Sequence, residues 1–347
     1  MNLSLLIFQG IEVPAQTWGT LVFTFIVLGV GFVLGAFGGM FSECSGIINI
    51  ALDGSMLLGA FSGILVCQQI TDAMKGNPLL NNWWFANLIY LIGLLVCVLV
   101  AFLFSFLLSF VSIKLKADQT IVGTALNSLV AAAVLIINTI HRGADLPETD
   151  VSMLFSTMTM KWDEKYAFFN GMLSNINICV PIGIILIVVL TFIMNKTRLG
   201  LRIRACGENP AAADSVGIKV NKMRYIGTAI GSVSAAIGGY IIFSCLRLSE
   251  WNLTSGVFGY GFLVLAIEIL GNWKAKNITF AALFFALFSS LGTFMTAVFS
   301  ELPKAFYNSK AFYSMLPYLL AVLSLVFFSK KSHAPKAEGI PYDKSAR

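Results

Sequence analysis

Few side chains in this 347-residue chain are equipped for covalent chemistry, and none stands at a reactive spacing. The two histidines, His141 and His333, have no Glu or Cys at metal-ligand spacing, so no metal centre is expected. There is no GxSxG, no HExxH and no paired-carboxylate motif to supply a nucleophile or a metal-activated water. The GxxxxGK[ST] phosphate loop is absent, and no polar stretch is long enough for a nucleotide-binding domain. The chain is therefore expected to bind no cofactor and to perform no ATP hydrolysis of its own. Cys44, Cys67, Cys97, Cys179, Cys206 and Cys245 lie in or beside apolar runs without a CxxC pair, and read as buried, inert thiols.

What remains is a set of polar side chains inside apolar stretches: Asn49, Asp53, Gln119, Thr120, Asn127 and Glu268. Polar groups at membrane depth either line a water-filled path or bond neighbouring helices, and residue type alone leaves both readings open. Asn49, Asp53, Asn127 and Glu268 are the candidates for a path. The first two are four residues apart, which on a helix puts them on one face. An unpaired charge in hydrocarbon costs at least about 2.5 kcal/mol, so Asp53 and Glu268 each need a partner, a proton or water. Glu268 lies close to Gly271 and Trp273 at the end of its span, within reach of the interface. In "TIVGTALNSLVAAA" (120–133), Gly123 and Asn127 share a face that permits close helix approach.

The elements that must hold these groups follow from composition. The chain is 57% hydrophobic and 12% charged, against roughly 25% charged in an average soluble domain. Apolar runs near the length needed to cross about 30 Å of hydrocarbon recur from Trp18 to Ser329. Stretches such as "YLIGLLVCVLVAFLFSFLLSF" (90–110) are apolar on every face, which excludes a β-barrel. The expected fold is an all-α polytopic membrane protein with about nine (eight to ten) transmembrane helices. The spans are read at 18–41, 46–70, 86–112, 119–140, 173–194, 223–246, 255–272, 277–299 and 312–329. The second, "SGIINIALDGSMLLGAF", carries Ser, Gly, Asn and Asp and is a candidate broken helix. The first 17 residues contain no Lys or Arg, so they lack the basic region of a cleavable signal and the first span is expected to be retained. Trp83 and Trp84 suit an interfacial aromatic belt. Gly38-Gly39 and Gly238-Gly239 sit in similar small-residue stretches that hint at related halves.

The net charge of +6 could suit nucleic acid, but its distribution suits a membrane topology better. With the 195–224 loop inside, 16 of the 23 Lys and Arg fall on the cytoplasmic side and 7 on the other. The expected topology is N-terminus out and C-terminus in, across a cytoplasmic membrane. Residues 1–329 would form the membrane domain. The tail, 330–347, has no periodic apolar face and is expected to be disordered. An outer loop carrying Asp145, Glu148, Asp150, Asp163 and Glu164 either docks a partner or is simply solvated.

One polar loop stands apart, "LRIRACGENPAAADSVGIKV" (201–220). Asn209 can cap a helix, Pro210 suits its first position, "AAADSV" propagates it and Gly217 can end it. Lys196, Arg198, Arg202, Arg204, Lys219, Lys222 and Arg224 would hold this short amphipathic helix at the membrane surface. Its small Ala face could enter another protein's cleft, although composition also fits an ordinary basic loop.

"RACGENPAAADSVGIKVNKMRYIGTAIGSVSAAIGGYIIFS" resembles the coupling-loop region of ABC importer permeases in the branched-chain amino acid, ribose and nucleoside group. "ECSGIINIALDGSMLLGAFSG" (43–63) and "TSGVFGYGFLVLAIEILGNW" (254–273) are similar to that group's early and late signatures, in the right order over roughly residues 20–329. The combination is most like the nucleoside permeases served by a Bmp-type lipoprotein, with riboflavin permeases close behind. Asp53 stands where the family usually has Glu, and Glu268 where it has an apolar residue.

The resemblance implies a permease subunit that forms the path for a nucleoside or similar polar solute. Gly207, Glu208, Asn209, Pro210, Ala211, Ala212, Ala213 and Gly217 would couple it to an ATPase. Its implied partners are cytoplasmic ATPase subunits, a second related permease, an extracytoplasmic substrate-binding lipoprotein and membrane lipid, with no nucleic acid. The alternative from the residues alone is an ion-coupled secondary transporter using Asp53 and Glu268.

Overall fold

A computed structural model describes residues 14–142, 166–173, 176–246, 259–299, 310–328 and 333–343. Among these residues the chain is helical and contains no strand. The elements are α1 (Ala15–Glu43), α2 (Leu52–Ala73), α3 (Trp83–Ser109, continued by a π-turn, Phe110–Lys114) and α4 (Gln119–Arg142). Then follow α5 (Ala167–Leu173), α6 (Cys179–Lys196), α7 (Arg198–Glu208), α8 (Pro210–Ser215) and α9 (Val220–Cys245). The series closes with α10 (Tyr260–Gly271), α11 (Ala275–Phe299) and α12 (Lys310–Phe328).

Seven of these, α1 to α4, α6, α9 and α11, are long and apolar enough to cross a membrane. The span expected at 255–272 is represented by the shorter α10, and that at 312–329 by α12, which ends at Phe328. The acidic loop from Asp145 to Glu164 lies outside the described residues.

The bundle is organised on α1 and α9, which are buried almost throughout. In lipid no hydrophobic effect drives helices together, so close approach of small residues must supply the packing. A Cβ on Gly38 would lie 2.7 Å from the Gly231 carbonyl oxygen, and one on Gly238 would lie 2.6 Å from that of Gly31. The contacts pair 31 with 238 and 38 with 231, so the two helices run antiparallel with no room for a methyl group at either crossing point. Of the glycine pairs that hint at related halves, Gly38 and Gly238 lie on this contact, whereas Gly39 faces Glu268 of α10 and Gly239 faces Met56 of α2. Ser234 Oγ donates to the Leu34 carbonyl at 2.7 Å and adds a polar tie along the same seam.

Helix α2 leans on α9, α3 covers both, and α11 flanks α1 on the other side. Tyr240 of α9 donates to the Tyr90 carbonyl of α3 at 2.9 Å, satisfying its buried hydroxyl. The outward sides of α3, α4 and α6 expose Leu99, Leu103, Ile121, Ile136, Ile185 and Phe192, which suits lipid.

Candidate functional site

The polar loop after α6 forms two helices meeting at Asn209. Thr197 caps α7, accepting from the Gly200 amide at 3.3 Å. Asn209 caps α8, its Oδ1 accepting from the Ala212 amide at 3.0 Å, with Pro210 at the first helical position. Gly217 ends the turn at φ 84°, in the left-handed region that glycine enters without penalty. Ile218 then closes back on the Ala213 carbonyl at 3.0 Å.

The residues 207–217 named for coupling do not form one helix: Gly207 and Glu208 are the last residues of α7, and the helix capped by Asn209 is only the short α8, Pro210–Ser215. The Asn209 backbone, at φ −150° and ψ 92°, cannot continue a helix, which is why the two segments separate. Ala213 points inward against Cys206, Val220 and Met223, whereas Ala211, Ala212 and Val216 are exposed. The turn thus presents a small apolar face on a rigid base. Arg224 does not join the surface cations: it is 1% exposed within α9.

The tail reaches this base. Residues 333–343, expected to be disordered, form turns packed along the same end of the bundle. The Ala337 amide donates to the Gly207 carbonyl at 2.8 Å and the Gly339 amide to that of Gly46 at 3.3 Å. Arg224 Nη1 donates to the Ile340 carbonyl at 3.0 Å, and the His333 amide to Asn272 Oδ1 at 2.8 Å. Lys116 pairs with Asp343 at 2.5 Å, and Tyr342 packs beside Ala213 and Met223. The stretch is held by backbone bonds and a buried guanidinium rather than by an apolar face, so periodicity carries no sign of it. Burial, and secondarily the neighbouring Glu43, push the Glu338 carboxyl up to about 8.

The second candidate region is the break between α1 and α2. Residues 47–49 adopt neither helix nor turn, so Asn49 precedes α2 rather than sharing a helical face with Asp53. Asn49 is wholly buried and donates to Ser42 Oγ at 3.2 Å. A break at membrane depth leaves backbone groups that must find partners in protein. Helix α4 supplies them: Gln119 Oε1 accepts from the Ile48 amide at 2.7 Å, and Asn127 accepts from Gly54 at 2.7 Å while donating to Ile50 at 2.9 Å. Gly123 abuts Ile50, allowing that approach. Asn127 is thus spent on holding the break, and Thr120 lies on the exposed side of α4.

Asp53, in the first turn of α2, accepts from the Gly261 amide in the first turn of α10 at 3.0 Å. It joins two helix N-termini, where a carboxylate is favoured. Glu268 does not reach the interface: it is 0% exposed, set against Gly39 and beside Glu43, and neither of its oxygens finds a hydrogen-bond donor among the described residues. Glu43 in turn accepts from Trp273 Nε1 at 2.6 Å. Of the four path candidates, Asn49, Asp53 and Asn127 gather around the break, and Glu268 belongs to a separate buried group with Glu43. Glu43 escaped sequence reasoning and Arg224 was read as a surface cation because each sits at the edge of an apolar run, where a charge is ordinarily solvated.

The six cysteines are all buried and free. Among the described residues, no group of three or more His, Cys, Asp or Glu side chains is arranged to hold a metal ion.

The family model described as "Branched-chain amino acid transport system / permease component" matches residues 21–325. The guanosine ABC transporter permease protein NupQ of Bacillus subtilis is 32% identical over 326 residues, covering 93% of this chain and 96% of that protein. The nucleoside ABC transporter permease protein NupC of Lactococcus lactis is 29% identical over 342 residues, covering 95% and 98%. The putative glucose ABC transporter permease protein TsgC13 of Haloferax volcanii is 25% identical over 268 residues, covering 75% and 72%. No solved structure matches significantly.

Proposed function

The chain belongs to the branched-chain amino acid transport system / permease component family, and from that membership we propose that it is the membrane permease subunit of an ATP-driven nucleoside importer. The observation that carries this reading is a family match running nearly end to end, alongside a capped, exposed turn over Pro210–Ser215 in the stretch that resembles the coupling loop. Nucleoside is preferred to riboflavin because two of the long matches carry guanosine or nucleoside in their names.

In this reading ATP is bound and hydrolysed by a separate subunit, which receives the face of Ala211, Ala212 and Val216. Closure of that subunit pushes on α8. The motion passes through Ala213 and the α7 base into α9, and so into the antiparallel α1–α9 pair. A second related permease completes the path, and an extracytoplasmic lipoprotein delivers the solute. The end of the bundle carrying α8 and the tail faces the cytoplasm, supported by the 16 to 7 division of cations.

Asp53 and Glu268 do not favour coupling to an ion gradient. The first is occupied by the Gly261 amide, and the second is sealed among α1 and α10. Mild-detergent purification of the tagged chain from its own membrane tests the assignment. Retention of an ATPase and a second permease, with ATP hydrolysis, is expected. A chain that emerges alone, with transport following a proton or sodium gradient, overturns it.

A further inference from the structure

A cavity of about 900 Å³ opens beside the docking loop, between the end of α6 and the start of α11. Its rim carries Lys196 from the last turn of α6, Arg204 from α7, Lys274 from the α10–α11 turn and Lys276 from the first turn of α11. All four are exposed, and none forms an ion pair among the described residues. Glu208 is the one acidic residue of the lining.

The helix dipole makes this arrangement costlier. The N-terminus of α11 carries partial positive charge, where acidic side chains are favoured and basic ones are not. Yet the first turn of α11 holds no acid and does hold Lys276, with Lys274 immediately before it. The turn that places them is itself unusual: Asn272 and Trp273 both adopt left-handed backbone, at φ 53° and 52°. Asparagine tolerates this region but the bulky Trp273 does not, so the conformation there is strained and must be held by its surroundings. It is held by the His333 amide on Asn272 Oδ1 and by Glu43 on the Trp273 indole. Positive charge is thus concentrated at a fixed concave place.

Two aromatic side chains indicate the source of the anion. Phe192 lies four residues before Lys196 on α6, and Phe280 four residues after Lys276 on α11, so each shares a helix face with its lysine. They are 60% and 75% exposed. On both helices a cation at the end of the span stands over an apolar surface one turn deeper in the membrane. That is the profile of an amphiphile with its charge at the rim and its chains along the bundle.

We propose that this cavity binds the phosphate-bearing headgroup of an anionic phospholipid, with acyl chains lying over Phe192 and Phe280. The site does not rest on the transport reading, since it needs only a membrane-spanning bundle. Its occupant would neutralise the α11 end and brace the turn against which the tail is docked.

The test is native mass spectrometry of the purified protein, delipidated and then offered phosphatidylglycerol or phosphatidylcholine. Selective retention of phosphatidylglycerol is expected, and this wild-type comparison requires no variant. Lys196→Gln, Lys274→Gln and Lys276→Gln should each weaken retention by about fivefold, the effect of one cation near an anionic surface. Arg198→Gln and Lys222→Gln, which remove cations outside the cavity, should not. Equal retention of the two lipids, or equal losses from both sets of variants, overturns the proposal. Displacement by inorganic phosphate alone assigns the site to a soluble phosphoryl anion and also overturns it. So does protection of Lys274 and Lys276 from amine labelling by an assembled ATPase in phosphatidylcholine alone, which makes the cavity a protein contact.

Discussion

The Ala337 amide donates to the Gly207 carbonyl over 2.8 Å, so the tail is bonded to α7, the helix that leads into the short α8. Glu338, the next residue, holds its proton unusually tightly, with its carboxyl raised from 4.5 to about 8 by burial and by Glu43. The docked tail therefore binds a proton more tightly than a released one, and linkage gives the sign. Docking is fully favoured below pH about 4.5 and weakens as pH rises through about 8. Hydrogen exchange at the Ala337 and Gly339 amides, corrected for intrinsic exchange, should accelerate across that window, and Glu338→Gln should flatten the dependence. Protection independent of pH in the wild type would contradict the contact.

Ala212 is exposed on α8 and makes no part of the hydrophobic base. Ala212→Arg should leave insertion and thermal stability unchanged while abolishing ATPase association, read by co-purification. Normal association of the variant would remove α8 from the interface.

Asn127 satisfies the Gly54 amide and the Ile50 carbonyl at the break. Asn127→Leu leaves both unpaired and should cost roughly 1–3 kcal/mol, the usual penalty for an orphaned buried group. Thr124→Val, three residues away, loses only a bond to its own helix and should be nearly neutral. Thermal unfolding in detergent compares the two. Equal midpoints would show that the break holds without Asn127.

Gly38 and Gly231 touch backbone to backbone. Gly38→Val should separate α1 from α9 and destabilise the bundle by about 1–3 kcal/mol or more, as overpacking does. Retention of the wild-type midpoint would mean that the central crossing is more pliant than its geometry indicates.

Local chemistry was legible in the sequence where one residue type answers one geometric demand. Asn209, Pro210 and Gly217 announce a short helix because cap, first position and terminator each have few alternatives. The long spans are equally plain, since hydrocarbon thickness dictates their length. The break was suggested by Ser, Gly and Asn near residue 49, but its partners were not, because Gln119 and Asn127 lie more than seventy residues away. Arg224 and the tail were misread for a related reason. A buried guanidinium bonded to a distant carbonyl, and a strap held by backbone amides, leave no periodic signature. Glu268 stands close enough to Trp273 in the sequence to reach the interface, whereas the fold sets it against Gly39 and beside Glu43 and buries it completely.

The most direct test of the central claim is uptake of radiolabelled guanosine by cells with and without this chain. ATP-dependent, saturable uptake should be lost on deletion, restored by the wild type and not restored by Ala212→Arg. Uptake that persists without the chain, or that follows a proton or sodium gradient in ATP-depleted cells, would contradict the assignment.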